Sequence, residues 1–261
     1  MNDLMKFKIK ESINPENYNQ ESAVKMLRFL GNLKKNSGQE KVVDFVFKKY
    51  GCVKILDSCV GDGSDAIELA KKGYEVTGNE IDKLFLGEAK RNIEREGVNI
   101  SLTEYDWREF EGHFQNYDAI LCLGNSICYL LDSNAQKKAI DNFYICLKKG
   151  GVLFIDERNF QYMLDHQEDI NKGNFQFSGK YGKAEKKEYL VKPLDISDKS
   201  LLIEFSDSKE KYSFRLVFYP FKRNELLGLL REAGFRNIEI YSDYEQSYNS
   251  EADFYQYVCV K

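Results

Sequence analysis

The sequence predicts an α/β fold: a mostly parallel, seven-stranded sheet with helices on both faces, carrying an antiparallel β insertion. Two observations lead there. Short apolar runs alternate with amphipathic stretches five times between residues 53 and 155, and such alternation calls for parallel strands joined by crossover helices. From 159 to 220 the chain turns polar, aromatic and strand-like, and a helix with two closely spaced strands then follows. The expected division is an N-terminal helical segment over 1–50, a nucleotide-binding core over 51–158, the insertion over 159–220, and a C-terminal helix and strand pair over 221–261.

Residues 1–20 are polar and include a turn at Asn14-Pro15. Ala23, Met26, Leu27 and Leu30 mark one amphipathic helix ending at Gly31; Val42, Val43, Val46 and Phe47 mark another. Val53, Ile55 and Leu56 then form an apolar strand that stops at Asp57. A turn with Gly61 and Gly63 follows, and Ala66, Ile67, Leu69 and Ala70 recur at helical spacing. Lys71, Lys72 and Gly73 close that helix, as basic residues and glycine do at a C-terminus. Tyr74, Val76 and Thr77 make the next strand, which ends at Glu80. Strand, glycine turn, helix and strand form a nucleotide-holding unit. Glu80 lies 19 residues past Gly61, near the roughly 20 expected of an acid that takes a ribose hydroxyl pair.

A charged helix spans about 83–96, and a short strand at 100–103 leads to Asp106-Trp107. The run 117–123 is a buried strand followed by Gly124-Asn125-Ser126. A helix near 135–148 ends in Lys148-Lys149-Gly150-Gly151, and the fifth strand, 152–155, breaks off at Asp156-Glu157-Arg158-Asn159. Within the insertion, strands are expected at 175–177, 188–191, 201–205 and 212–219, with no helix after about residue 172. A helix at 223–233 ends at Gly234, and strands at 237–241 and 254–260 are expected to pair antiparallel and close the sheet.

Charge narrows the ligand. Gly61-x-Gly63-x-x-Ala66 satisfies the loose dinucleotide fingerprint, but Asp57, Asp62, Asp65 and Glu80 set four carboxylates around the turn, where a dinucleotide brings an anionic pyrophosphate. S-adenosylmethionine carries the same adenosine with a sulfonium and an ammonium in place of phosphate, and suits these charges better. A glycine turn alone is a weak motif, shared with βαβ turns that bind nothing. Hydrophobic residues at 43% and charged residues at 31% describe a globular chain, and a net charge of −4 argues against a nucleic-acid partner. No apolar run approaches the roughly 18 residues that cross a bilayer, and MNDLMKFKIKES lacks a signal-peptide core. A cytoplasmic location without a membrane partner is therefore expected. Six cysteines show no CxxC pair and read as buried thiols, and two histidines stand apart in polar surroundings, so no metal is expected.

The segments ILDSCVGDGSDAIELAKKGYEVT, YDAILCLGNS, IDERNF, FRLVFYPF, EAGFRNIEIYSDYEQSY and DFYQYVCVK resemble the glycine N-methyltransferase and glycine/sarcosine N-methyltransferase group. These are Rossmann-like, class I S-adenosylmethionine-dependent methyltransferases, and the resemblance covers most of the chain beyond about residue 15. LGNS and IDERN, each ending a strand, are its specific part. It implies methyl transfer from S-adenosylmethionine to glycine, sarcosine or dimethylglycine, toward betaine, with S-adenosylhomocysteine as product. Asn125 and Arg158 would hold the carboxylate of this small zwitterionic amino acid. A planar guanidinium beyond a strand's carboxyl end suits that task.

For the methyl donor, the resemblance implies that backbone at Gly61 and Gly63, beside Asp57, cradles the methionyl part. Glu80, followed by Ile81, would take the ribose, Asp106 the adenine amino group with Trp107 beside it, and the Leu123 carbonyl the ammonium. Tyr18 aligns with a tyrosine that reaches the family's active site; Tyr219 and Tyr248 fall near tyrosines that line it. The N-terminal segment would cover the site and the insertion would act as its lid, or else as an oligomer surface, in a monomer or homo-oligomer. Blander roles compete: Arg158 paired with Asp156 or Glu157, Trp107 packed in the core, Asp57 capping the turn's own amides.

The chain departs from the family in places. Cys59-Val60 stands where many members have a small residue and cysteine, Tyr129 replaces a frequent histidine, and Phe177 stands near a tyrosine of the animal enzymes. An arginine for the donor's carboxylate has no clear equivalent, leaving Lys34 or Lys35. Two rival readings therefore stay open: a methyltransferase for another small amine or hydroxyl acceptor, and a non-catalytic S-adenosylmethionine-binding protein.

Overall fold

The computed structural model describes residues 37–175, 189–207 and 212–261. Tyr18, Lys34, Lys35, Phe177 and the helix expected at Ala23 to Leu30 lie outside them. In chain order the elements are α1 (Ser37–Tyr50), β1 (Lys54–Asp57), α2 (Ser64–Lys71), β2 (Glu75–Asn79), α3 (Lys83–Glu96), β3 (Ser101–Thr103), β4 (Tyr117–Cys122), α4 (Ser133–Cys146) and β5 (Leu147–Arg158). Next come α5 (Gln161–Asp165), α6 (Gln167–Asn171), β6 (Tyr189–Ser197), β7 (Ser200–Asp207) and β8 (Tyr212–Phe218). The described chain ends with α7 (Glu225–Glu232), β9 (Asn237–Ser242) and β10 (Phe254–Val260). Two compact units result: residues 128–131 and 160–223 belong to one, and 132–159, 224–261 and the described chain up to 127 belong to the other.

The larger unit is a seven-stranded sheet in the order β3-β2-β1-β4-β5-β10-β9. All pairs are parallel except those of β10, which runs antiparallel to both β5 and β9. The central strands are apolar where helices cover them: Ile55, Leu56, Ala119, Ile120, Val152, Leu153, Phe154 and Ile155 are all fully buried. Val42, Val43, Val46 and Phe47 form the buried stripe of α1 and join the same core as Ile55, Leu121 and Phe154. The Asp82 carboxylate caps α3 by accepting from Leu84 N at 2.8 Å and Phe85 N at 3.2 Å, and Gly97 ends that helix in the left-handed conformation. The smaller unit holds the three-stranded antiparallel sheet β6-β7-β8 and the short helices α5 and α6. Asn171 of α6 accepts the Ile196 N–H through its side chain at 3.2 Å.

Three boundaries differ from those expected. The helix before β5 stops at Cys146, and Lys148-Lys149-Gly150-Gly151 runs inside the strand as a bulge. A Cβ on Gly151 would lie 2.9 Å from Lys148 O and 3.0 Å from Tyr117 O, so these glycines serve a close strand approach and not a helix cap. β6 continues through Pro193 to Ser197, because the register shifts between Pro193 and Asp195 and spares the missing N–H. Phe175, expected in a strand, lies in none.

The core also encloses one carboxyl group that prefers its proton. Glu157 is buried in β5; the Tyr257 hydroxyl donates to its Oε1 at 2.6 Å, while Oε2 has no hydrogen-bond partner. Burial pushes its pKa from 4.5 up to about 8, against the pull of Tyr257. The unfolded carboxyl ionises near 4.5, so stability is fully present below that pH and is lost as pH rises through about 8. In thermal unfolding, Glu157→Gln should therefore melt higher than the parent at pH 9, and the gap should close toward pH 5. A constant gap across that range would mean that Glu157 is ionised in the fold.

Candidate active site

β1 and β4 lie side by side and parallel, yet the chain leaves them toward opposite edges of the sheet. Beyond their carboxyl ends lies the crevice where open α/β sheets bind ligands. The turn after β1 is built from backbone: Ser58 N–H donates to Leu121 O at 2.9 Å, and Val60 N–H to Asn79 O at 3.0 Å. Gly61 (φ 56) and Gly63 (φ 87) supply the left-handed residues, and Gly63 also lets α3 approach, since a Cβ there would stand 3.4 Å from the Ala89 Cα. Asp57 accepts the Cys59 N–H at 3.3 Å and so caps the turn. Glu80 clamps it from the other side, with Oε2 accepting Gly61 N–H and Oε1 accepting Asp82 N–H, both at 3.0 Å. Burial raises the Glu80 pKa, and these backbone donors oppose the rise. Ile81, next along, is exposed.

The next strand end contributes Asp106 and Trp107. The Asp106 carboxylate takes two bonds from Arg108, Nε to Oδ1 at 2.8 Å and Nη2 to Oδ2 at 2.5 Å, and this pairing lowers its pKa. Trp107 Nε1 donates to Ser58 O at 2.7 Å and its ring meets Phe143 edge-on, so it ties this segment to the β1 turn. The Leu123 carbonyl already accepts from Ser126 Oγ at 2.7 Å and Cys59 Sγ at 3.4 Å.

The opposite side of the crevice is assembled around a buried acid. Asn125 is a non-glycine residue at φ 60, and its N–H donates to Asp156 Oδ1 at 2.6 Å while Gly124 N–H donates to Oδ2 at 3.1 Å. Asn125 Oδ1 in turn accepts the Arg158 backbone N–H at 2.9 Å. The Arg158 guanidinium lies over the Phe254 ring, 4.7 Å from its centre. The Tyr244 hydroxyl donates to Asp156 Oδ2 at 3.1 Å with Gln39 Oε1 at 3.4 Å, and Gln39 Nε2 donates to Asp65 Oδ2 at 3.2 Å. Burial pushes the Asp156 pKa up to about 6, against the donors Asn125, Gly124 and Tyr244.

The structure thus joins Gly61 to Glu80, Trp107 to the β1 turn, Arg158 to Asn125, and Asn125 to Asp156. Tyr219 belongs to the smaller unit, where it is buried against Phe221 and its N–H donates to Cys128 O at 2.7 Å. Tyr248 stacks on Tyr255 and is 56% exposed, whereas Tyr244, four residues earlier, is the tyrosine that reaches Asp156. Sequence reasoning missed Asp156, Tyr244 and Gln39. An acid directly at a strand end was the available signal for the first; nothing local marks the other two.

Comparison with known proteins adds to this geometry. A family model described as "Methyltransferase domain" matches residues 55–151. The glycine/sarcosine N-methyltransferase of Aphanothece halophytica is 31% identical over 216 residues, covering 82% of this chain and 78% of that enzyme. The chain belongs to the glycine/sarcosine N-methyltransferase family of S-adenosylmethionine-dependent methyltransferases. A second family member, from Halorhodospira halochloris, is 29% identical over 82% of this chain and 77% of its own. The crystal structure of an S-adenosylmethionine-dependent methyltransferase from Clostridium acetobutylicum ATCC 824 shares the fold with a TM-score of 0.69, at 17% identity and 99% coverage of both chains.

The methyltransferase offers a donor set that fits S-adenosylmethionine. Asp57, Asp62, Asp65 and Glu80 accept from backbone N–H groups, Ser64 and Gln39, leaving carboxylates around the turn that suit a sulfonium and an ammonium. A Cβ on Gly61 would find no atom nearer than Cys59 O at 4.0 Å, so the turn is open where a ligand would lie. Among the described residues, no group of three or more His, Cys, Asp or Glu is placed to hold a metal, and no helix is long and apolar enough to cross a membrane. All six cysteines are free thiols. We propose that Glu80 binds the donor's ribose. Glu80→Gln keeps the shape but loses one backbone acceptor and the charge, so S-adenosylhomocysteine should bind about 10–100-fold more weakly in calorimetry. Unchanged affinity would remove Glu80 from the donor site.

Proposed function

We propose that this methyltransferase acts on the nitrogen of glycine, sarcosine or dimethylglycine, with Asn125 and Arg158 gripping the acceptor's carboxylate. The observation that carries the reading is the hydrogen bond from Arg158 N–H to Asn125 Oδ1, which joins the two groups at neighbouring strand ends. The Asp156 and Glu157 carboxylates are engaged by Gly124, Asn125, Tyr244 and Tyr257, which supports a role for the Arg158 guanidinium beyond neutralising its chain neighbours. The guanidinium lies over the Phe254 ring, and its planar fork is the group that matches a carboxylate in two-pronged fashion. Relatives named glycine/sarcosine N-methyltransferase at 31% and 29% identity support the same acceptor.

S-adenosylmethionine, when bound, supplies an electrophilic methyl group. The protein's own work is positional: holding the acceptor by its carboxylate sets the nitrogen within about 3–3.5 Å of the methyl carbon. Excluding water then favours the neutral amine over its ammonium form. An ammonium has no lone pair, so the rate should climb from neutral toward alkaline pH.

Arg158→Gln removes one charge-assisted contact, about 1.5–3 kcal/mol, and should lower kcat/KM for the acceptor about 10–100-fold while leaving S-adenosylhomocysteine affinity unchanged. Steady-state kinetics with labelled donor and a panel of glycine, sarcosine, dimethylglycine and other small amines checks both the acceptor and the anchor. Transfer confined to amines without a carboxylate would overturn the reading.

A further inference from the structure

Asn125 and Tyr244 are both non-glycine residues with positive φ, at 60 and 63, and both hydrogen-bond the carboxylate of Asp156. Left-handed backbone at such residues persists where surrounding structure over-determines it, and bulky Tyr244 is an unusual occupant. Its supports are visible. Tyr244 N–H donates to Gln256 Oε1 at 2.8 Å, and Asp243 (φ 52) accepts Asp253 N–H at 3.1 Å and Phe254 N–H at 3.0 Å. Two strained turns, from β4 and from the β9–β10 connection, therefore converge on one buried acid.

We propose that Asp156 is the positioning residue of the acceptor site, holding the Gly124-Asn125 backbone where Asn125 locks to Arg158, with Tyr244 as its support. This rests on the acceptor reading above. Each oxygen of the ionised carboxylate accepts one loop N–H, and protonation turns one of them into a donor, releasing an N–H from Asn125 or Gly124. Asn125 then loses its fixed alignment with Arg158, and the carboxylate grip loosens. Among the described residues, these charged and titratable groups act on Asp156. Asp65 of α2 raises its pKa and the Tyr244 hydroxyl lowers it; Glu157, next on the same strand, interacts with its charge, Gln39 of α1 is neutral, and Arg158 follows on that strand. Burial, opposed by the donors Asn125, Gly124 and Tyr244, puts its ionisation near pH 6.

Propionate is the test ligand, because it copies glycine with a methyl group in place of the amine and brings no titrating nitrogen. Its dissociation constant is measured by NMR titration of protein saturated with S-adenosylhomocysteine, from pH 5.5 to 8. In the parent, binding should weaken as pH falls through about 6. In Tyr244→Phe, that weakening should move to higher pH by about 1–2 units, the worth of one hydrogen bond to a charged group. In Asp156→Asn, propionate should bind about 10-fold more weakly at pH 8, with no change across the range. A parent profile that is flat, or a Tyr244→Phe profile that superimposes on it, overturns the proposal even if the aspartate variant fails to fold. Arg158→Gln separates the two claims: its loss of propionate binding upholds the acceptor site, while parental affinity would overturn that site and this inference with it.

Discussion

Because β1 and β4 are neighbours whose chains depart to opposite edges of the sheet, no crossover covers their carboxyl ends, and the segments released there carry the candidate site. That constraint does more than leave a gap. Each segment must satisfy its own backbone donors where the strand ladder stops, and acids do so at nearly every strand end. Asp57 caps the first turn, Glu80 clamps it from β2, Asp106 caps the segment after β3, and Asp156 holds the loop after β4. The carboxylates that terminate the strands are also the charges that suit a cationic methyl donor, so structure and ligand preference share one set of groups.

Burial divides the two acids at the end of β5. Asp156 accepts three hydrogen bonds, and its pKa rises only to about 6; Glu157 has one donor and an orphan oxygen, and its pKa rises to about 8. Successive residues of a strand face opposite sides of the sheet, so neighbours in sequence meet different partners. Asp156 meets the Asn125 loop and Tyr244, while Glu157 meets Tyr257 and the field of Glu225. Near neutral pH the first is charged and organises a loop, and the second keeps a proton and fills core.

Much of the larger unit was legible because its signals are local. Apolar runs bounded by turn residues mark β1, β2 and β4, and the stripe Val42, Val43, Val46 and Phe47 marks α1. Failures came where a local signal had two uses. Lys148-Lys149-Gly150-Gly151 has the composition of a helix end, yet Gly151 packs against Tyr117 O inside a bulged strand. Pro193 argues against a strand until the register shift beside it removes the need for its N–H. For the candidate site, Asn125, Arg158, Glu80 and the glycine turn were expected from the resemblance, strand-end position and motif. Trp107 and Leu123 were expected there as well, but their bonds to Ser58, Ser126 and Cys59 were not legible.

By itself the sequence determined the alternation of elements, the glycine turn with its surrounding acids, and the two strand-end motifs, since each is written within a few consecutive residues. Only the tertiary structure decided which groups meet. Asp156 finds Asn125 across 31 residues and Tyr244 across 88, and Tyr244, not Tyr248, turns its hydroxyl inward because a left-handed turn aims it. Hydrogen bonds of such separation follow from strand order and backbone conformation, and a linear pattern encodes neither directly.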